Sequence, residues 1–368
     1  MRYISQYPDI IMNKIPVNLG ERSYQITIGK NILSQLGDFI IRLTKPCKTL
    51  IITDKNVNAL YADIVSKGLA AHKFDVKVVS MEPGEEKKTL STVEVLYDAF
   101  FDHGMDRKSL VIALGGGVVG DVAGFAASTF MRGVPFVQVP TSLLAQVDSS
   151  VGGKVGVNHP RGKNMIGSFY QPIAVFIDTV TLSTLPRAEL LAGMVEVIKY
   201  GVIRDASLFD YVEKSLPKIL ELNDDALKTI ISKSCNIKAR VVEEDEREAG
   251  LRAILNYGHT IGHALEALTE YKKYRHGEAV AIGMAYASKM AVIMGLADET
   301  VSMRQISLLK RLGMPTENRE IKPDDIINTL YLDKKTLGGR LRFILPTKIG
   351  EVIISDKVTE EVIRRTLE

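Results

Sequence analysis

The stretch SLVIALGGGVVGDVAGFAAST, residues 109–129, reads as a buried strand, a glycine turn and the opening of a helix in a single run. Its first part, SLVIALG (109–115), is apolar almost throughout, as a strand covered on both faces of a parallel sheet must be. The following LGGGVVGD (114–121) puts three consecutive glycines at the turn. Without Cβ atoms the backbone N–H groups there can approach an anion closely, and the helix amino terminus adds favourable partial charge. The same glycines would also serve tight strand-to-helix packing, so both readings stand. The segment departs from the GxGxxG fingerprint, because it follows a late strand and has no acidic residue at the expected offset.

Outward from this stretch the pattern repeats. KTLIITD (48–54), FDVKVVSM (74–81) and VPFVQVP (134–140) are further strands of the same kind, with helical periodicity at 56–71, 89–103 and 118–131 between them. Strands alternating with helices from about 22 to 180 imply a parallel sheet with crossover helices, a Rossmann-like α/β domain. After 186 the strand signal stops, and helical segments follow at 188–203, 205–221, 223–245, 256–270, 276–294 and 298–312. A late pair of apolar runs, RLRFILP (340–346) and GEVIIS (350–355), reads as a small hairpin before a last helix. The expected organisation is an extension over 1–16, an α/β domain over 17–186 and a mainly α-helical domain over 187–368. No repeat and no Gly/Pro/Ser-rich linker separates the two, so the expectation is that they abut, with a ligand cleft between them.

Composition narrows the class. Apolar residues make up 46% of the 368 and charged residues 25%, the proportions of an ordinary globular chain. Forty-seven basic residues against 44 acidic give a formal charge of +3, too even a balance to suggest a nucleic-acid or membrane surface. The two cysteines, Cys47 and Cys235, form no CxxC pair, which excludes a thiolate metal motif and fits a reducing cytoplasm. The uncharged run 133–147 carries Pro135 and Pro140 and is too short to span a bilayer as a helix.

Three segments carry chemistry. From Thr141 to Gly167 the chain shows no periodicity, and it holds Asp148, Lys154, Lys163 and Asn164; long irregular segments in compact domains tend to be functional. Between Leu190 and Ile203 the only charged residues are Glu196 and Lys199. They form either an i, i+3 ion pair or groups facing a metal or an anion. In NYGHTIGHALEAL (256–268), His259 and His263 stand at i, i+4 on one helical face, and His276 opens the next apolar helix. Two imidazoles and a carboxylate from another helix would make a three-ligand divalent-metal site with an open position, for which three histidines compete.

Together LGGGVVGD, TFMRGVPFVQVPTSLLAQVDSSVGGKVGVN, GKNMIGSFYQP, EVIKYG, EREAGLRAILNYGHTIGHALE and HGEAVAIGM resemble, in order, the motif set of the 3-dehydroquinate synthases, over residues 48 to 346. The resemblance implies an amino-terminal NAD-binding domain and a helical domain carrying zinc, or cobalt. It implies Glu196, His259 and His276 as metal ligands, leaving His263 a supporting or substrate-facing group. It places NAD against Asp54, Asn56, Glu85, Lys88, Gly117, Val118, Val119, Gly120, Asp121, Thr141, Ser142, Asp148, Lys154, Lys163, Thr181, Leu182, Ser183 and Thr184. It assigns the substrate's phosphate and carboxylate to Lys154, Lys163, Asn164, Lys199, Lys238, Arg252, Asn256 and Lys335, with Lys334 an alternative to the last. Arg132 would reach from a partner subunit, which implies a homodimer.

The reaction so implied joins alcohol oxidation, phosphate elimination, carbonyl reduction, ring opening and aldol closure of a sugar-acid phosphate. Oxidation of a ring hydroxyl acidifies the adjacent C–H, and a doubly anionic substrate explains so many lysines. Rival expectations are cyclases whose substrates lack the carboxylate, against which Lys238 and Arg252 argue, and metal-dependent polyol dehydrogenases, which have less need of anion-binding groups. A sensor or scaffold on the same fold fits the sequence least, because the metal-ligand and cationic groups are all present.

Overall fold

The computed structural model describes residues 12–336 and 341–368, the side chains of 333–336 excepted. They fall into two compact units: the residues up to Leu185 together with Leu227–Glu243, and Pro186–Ala226 together with the residues from Glu244 onward. The chain therefore leaves the first unit near 186 and returns to it through most of the long helix Asp224–Glu244. Leu227, Ile230, Ile231, Cys235, Val241 and Val242 of that helix are buried.

In the first unit the strands are β1 (Asn13–Val17), β2 (Tyr24–Gly29), β3 (Lys48–Asp54), β4 (Asp75–Met81), β5 (Leu110–Gly115), β6 (Phe136–Pro140), β7 (Lys154–His159), β8 (Gly162–Phe169) and β9 (Ala174–Asp178). Among the described residues, seven of them form one sheet in the order β1-β2-β9-β6-β5-β3-β4. Every pairing in it is parallel except the edge pair β1–β2. Residues 13–16, assigned above to an extension, are thus part of an edge strand, Asn13 opposite Ile28 and Val17 opposite Tyr24. Short, charged and unaccompanied by a periodic partner in sequence, that segment carries no strand signal of its own; its pairing supplies one.

The sheet's side chains alternate between two cores, as a period of two requires. Leu50, Ile52, Val111 and Ala113 join one cluster with the helices Leu90–Asp102 and Gly117–Thr129. Ile51, Leu110, Ile112 and Leu114 join another with Leu36, Ile40, Val65 and Leu69. Each such aliphatic side chain taken fully out of water contributes about 1.5–3 kcal/mol, which fixes the register of every strand.

Thr141–Gly167 is more regular than its sequence. It contains a wide helical turn, Ala145–Ser149, and the antiparallel hairpin β7–β8. Val155 and Val157 of β7 pack into the first core, and a Cβ added at Gly124 would lie 2.4 Å from Val155 Cγ1. The alternation in β7 is interrupted by glycine and too brief to register as periodic, so packing against the helix decides it.

The second unit is built on two helices buried nearly all round, Arg187–Ile203 and His276–Ile293, the property of core helices. Around them lie Ala206–Leu220, His259–Leu268, Glu299–Arg311, Pro323–Thr336 and Glu360–Leu367, with the antiparallel pair β10 (Phe343–Lys348) and β11 (Glu351–Ser355). The segment read as a helix from 256 begins instead at His259, after a tight turn Leu251–Asn256 and Gly258 at φ 82°. That left-handed conformation is open to glycine and costly for other residues.

Candidate active site

In the first unit the sequence-predicted residues gather at the carboxyl ends of the parallel strands. Asp54 ends β3 and caps the helix after it, its Oδ1 accepting from the backbone N–H groups of Asn56 at 2.8 Å and Val57 at 3.0 Å. Glu85 and Lys88 follow β4; Gly117, Val118, Val119, Gly120 and Asp121 follow β5; Thr141 and Ser142 follow β6; Thr181, Leu182, Ser183 and Thr184 follow β9. From β3 the sheet grows to β4 on one side and to β5 on the other, so Asp54 and the Gly115–Gly117 turn flank its topological switch point. In open α/β sheets that is where ligands bind. Gly117 opens its helix with Gly116 as cap, and a Cβ there would come within 3.1 Å of Ser149 Oγ.

Side chains tie these loops together. Lys88 Nζ donates to Asp121 Oδ2 at 2.6 Å and to Asn164 Oδ1, and Lys88 is buried. Burial pushes the Asp121 carboxyl up from its ordinary value, with the Lys88 ammonium opposing it. Asn158 joins the loops that carry Glu85, Lys88 and Asn164. Its amide donates to Glu85 Oε1 at 2.8 Å, its Oδ1 accepts from Asn164 N at 2.9 Å, and its own N–H reaches Lys88 O at 2.8 Å. Sequence reading passed over Asn158; its only signal was its place in the VGVN run before GKN. Thr181 and Thr184 are engaged with Gln146 and Tyr61 at 3.0 and 2.6 Å. Lys238 Nζ pairs with both the carbonyl and the carboxylate of Asp148. Lys154 opens β7, exposed, and half-buried Lys163 lies one residue into β8. Arg132 is exposed, at φ 68°, directly after Met131 at φ 49°. Two successive left-handed non-glycine residues are strained, and strain of this kind concentrates at functional positions.

In the second unit three helices converge. Glu196 is fully buried at the middle of Arg187–Ile203. Its Oε1 lies 3.8 Å from His259 Nε2 and 3.7 Å from His276 Nε2, while its Oε2 meets Lys199 Nζ. The i, i+3 ion pair is therefore formed on one carboxylate oxygen, while the other oxygen faces the two imidazoles. The closeness of the helices depends on glycines: a Cβ at Gly283 would sit 1.9 Å from Gly258 O. Burial, with Lys199 and the neighbouring imidazoles, holds His259 well below the usual histidine range, hence neutral and able to donate its lone pair. His276 is shifted the other way, because Glu266 and Glu196 outweigh the effect of its burial.

The ligand atoms of Glu196, His259 and His276 all lie within 4.8 Å of one another, and those of His263, Glu266 and His276 form a second such group. A tetrahedral ion about 2.0–2.2 Å from each donor needs donors roughly 3.4 Å apart. The Glu196–imidazole spacings approach that, and a carboxylate with two imidazoles is the donor set of an open catalytic site. Elsewhere in the unit, Arg252 is buried, its backbone N–H bound to Asp245 Oδ2 at 2.9 Å and its guanidinium to Glu246 O. Asn256 donates to Glu248 Oε1 at 2.9 Å. The side chains of Lys334 and Lys335 lie outside the described residues.

Comparisons with known proteins identify the family. Residues 78–192 match the model of the 3-dehydroquinate synthase N-terminal domain and residues 193–336 that of the C-terminal domain. A 3-dehydroquinate synthase of Desulforamulus reducens is 53% identical over 350 residues, covering 95% of this chain and 98% of its own. The chain belongs to the 3-dehydroquinate synthase family. Solved structures of related cyclases superpose closely. A 2-epi-5-epi-valiolone synthase of Streptomyces hygroscopicus, with NAD+ and Zn2+ bound, is 29% identical at TM-score 0.87, covering 95% of this chain and 97% of its own. A 2-deoxy-scyllo-inosose synthase complexed with carbaglucose-6-phosphate, NAD+ and Co2+ is 32% identical at TM-score 0.86, covering 96% and 100%.

Proposed function

We propose that this chain converts 3-deoxy-D-arabino-heptulosonate 7-phosphate to 3-dehydroquinate and inorganic phosphate, a phosphate-eliminating cyclisation of the shikimate pathway. The first unit would bind NAD at the switch point of its sheet. Glu196, His259 and His276 would hold a divalent zinc or cobalt ion. The observation that carries the reading is the approach of one buried carboxylate oxygen to two imidazole Nε2 atoms, at 3.8 and 3.7 Å.

Once bound, the ion supplies Lewis acidity and NAD supplies reversible hydride exchange. The protein's own groups bind and orient. Lys154, Lys163, Asn164, Lys199, Lys238, Arg252, Asn256 and Lys335 would hold the phosphate and carboxylate, with His263 a supporting or substrate-facing group. Arg252 is suited to the carboxylate, because its planar fork matches two oxygens and its hydrogen bond to Glu246 O sets its direction beforehand. Lys238 rests on Asp148, so recruiting it to substrate would free that carboxylate for the cofactor's hydroxyl groups. Asp121, paired with Lys88, would serve the same end. Loss of one such charge costs about 2–5 kcal/mol of binding, the penalty of leaving its partner unpaired.

A homodimer in the cytoplasm completes the reading, with Arg132 serving the partner's site. Phe101, 68% exposed and edge-on to Phe130 at 5.4 Å, and the exposed Met131 beside Arg132 supply the apolar surface such an interface uses. No helix among the described residues is long and apolar enough to cross a membrane.

The deciding experiment incubates the protein with NAD, zinc and the heptulosonate phosphate. Phosphate release without accumulation of NADH supports the cyclase; stoichiometric NADH overturns it in favour of a dehydrogenase. Equal turnover of a phosphate substrate lacking the carboxylate would overturn the assignment of Arg252.

A further inference from the structure

Glu266 is buried to 3% exposure, and it was not among the residues the sequence singled out. It lies on the His259–Leu268 helix, three residues after His263 and seven after His259, on the face that carries both imidazoles. Its Oε2 stands 3.5 Å from Nδ1 of His276, too close for an intervening water. The two nitrogens of His276 thus have separate partners: Nε2 faces Glu196 Oε1 and Nδ1 faces Glu266 Oε2. His259 is arranged alike but with a neutral partner, its Nδ1 lying 3.1 Å from the Tyr257 carbonyl.

We infer that Glu266 is a positioning residue for His276: it accepts a hydrogen bond from Nδ1–H, favours the tautomer whose Nε2 lone pair faces the ion that it would share with the Glu196 oxygen, and strengthens that nitrogen as a ligand. A carboxylate behind a metal-binding imidazole does this by charge as well as by direction, whereas the carbonyl behind His259 supplies direction alone. The two histidines are therefore unequal. His276 sits at the first turn of its helix with a third of its side chain exposed, and without Glu266 its ring would turn about its own Cβ–Cγ bond. His259, buried and anchored on a backbone carbonyl, needs no such tether.

The inference rests on the metal-site reading above, and the test separates the two. Metal-stripped wild type, Glu266→Gln, Glu266→Ala and Glu196→Ala proteins are titrated with Co2+, following the visible absorption of the bound ion and its stoichiometry. Expected are one cobalt per wild-type chain, little binding to Glu196→Ala, and a Kd about 10–100-fold weaker for Glu266→Ala with an altered absorption envelope. Glu266→Gln, which keeps an acceptor but loses the charge, should fall between them. Wild-type affinity and an unchanged spectrum in both Glu266 variants would overturn the inference while leaving the metal site standing. Two cobalt ions per wild-type chain, one of them lost in Glu266→Gln, would make Glu266 a ligand and overturn its positioning role. Failure of wild type to bind cobalt would overturn the metal reading itself. Glu266→Gln is nearly isosteric, so the comparison survives even if Glu266→Ala does not fold.

Discussion

Nε2 of His276 lies 3.7 Å from Oε1 of Glu196, although the two residues stand eighty positions apart and lie on different helices. The relationship gives an otherwise expensive burial its partners. Glu196 is fully buried, with one oxygen on Lys199 and the other facing two imidazoles, a set of partners that a divalent ion would complete.

Replacing Glu196 by alanine should abolish stoichiometric zinc and lower phosphate release roughly a thousandfold, the loss of several kcal/mol of charge stabilisation. His263→Ala should keep its zinc while losing activity, since that imidazole lies outside the Glu196 group. Atomic emission on the purified variants checks both; a zinc-free His263→Ala protein would reassign the ligands.

Lys88→Met should destabilise the first unit in a pH-dependent way. Burial already raises the Asp121 carboxyl above 3.8, and Lys88 is what opposes it. Without the ammonium, Asp121 holds its proton to a higher pH in the folded than in the unfolded state. The folded state then binds more protons, so stability falls as pH rises from the unfolded value through the folded one and is flat beyond it. Urea unfolding near pH 4.5 and about pH 7.5 should show the deficit relative to wild type growing toward the higher pH. NAD affinity, read by calorimetry, should fall as well.

Gly283→Ala sets two effects against each other. Alanine favours the helix by about 1 kcal/mol. The added methyl would lie 1.9 Å from Gly258 O, a backbone atom that cannot swing aside. Relief of that overlap costs more, about 1–3 kcal/mol or above, and would shift the turn that places His259. Net destabilisation in urea with reduced zinc content is expected; a stabilised protein with full zinc would show that the turn is not the constraint.

Mixing inactive Arg132→Ala with inactive Glu196→Ala should restore about a quarter of wild-type activity if subunits exchange and Arg132 serves its partner. Half the dimers are then mixed, each with one intact site. No recovery, with mixed dimers demonstrated by mass, would place Arg132 in its own subunit's site.

Much of this chain is decided locally. The strands at 48–54, 110–115 and 136–140 are apolar runs buried along almost their whole length, as strands of a sheet covered on both faces are, whereas 75–81, with Asp75 and Lys77, is the half-exposed edge strand. Two charges on the apolar Arg187–Ile203 helix, and histidines at i, i+4, likewise mark a candidate site from sequence alone. Other features had no local cause. Residues 13–16 become a strand only because β2 offers an edge, and β7–β8 form because Val155 and Val157 find the helix Gly117–Thr129. Glu266 carries no local signal, because one acidic residue on a helix is normally solvated; its meaning depends on which nitrogen of His276 it faces. Periodicity is a property of neighbours along the chain, and so sequence determines which faces are buried. Which buried groups meet depends on distances between segments far apart in number, and those only the packed structure sets.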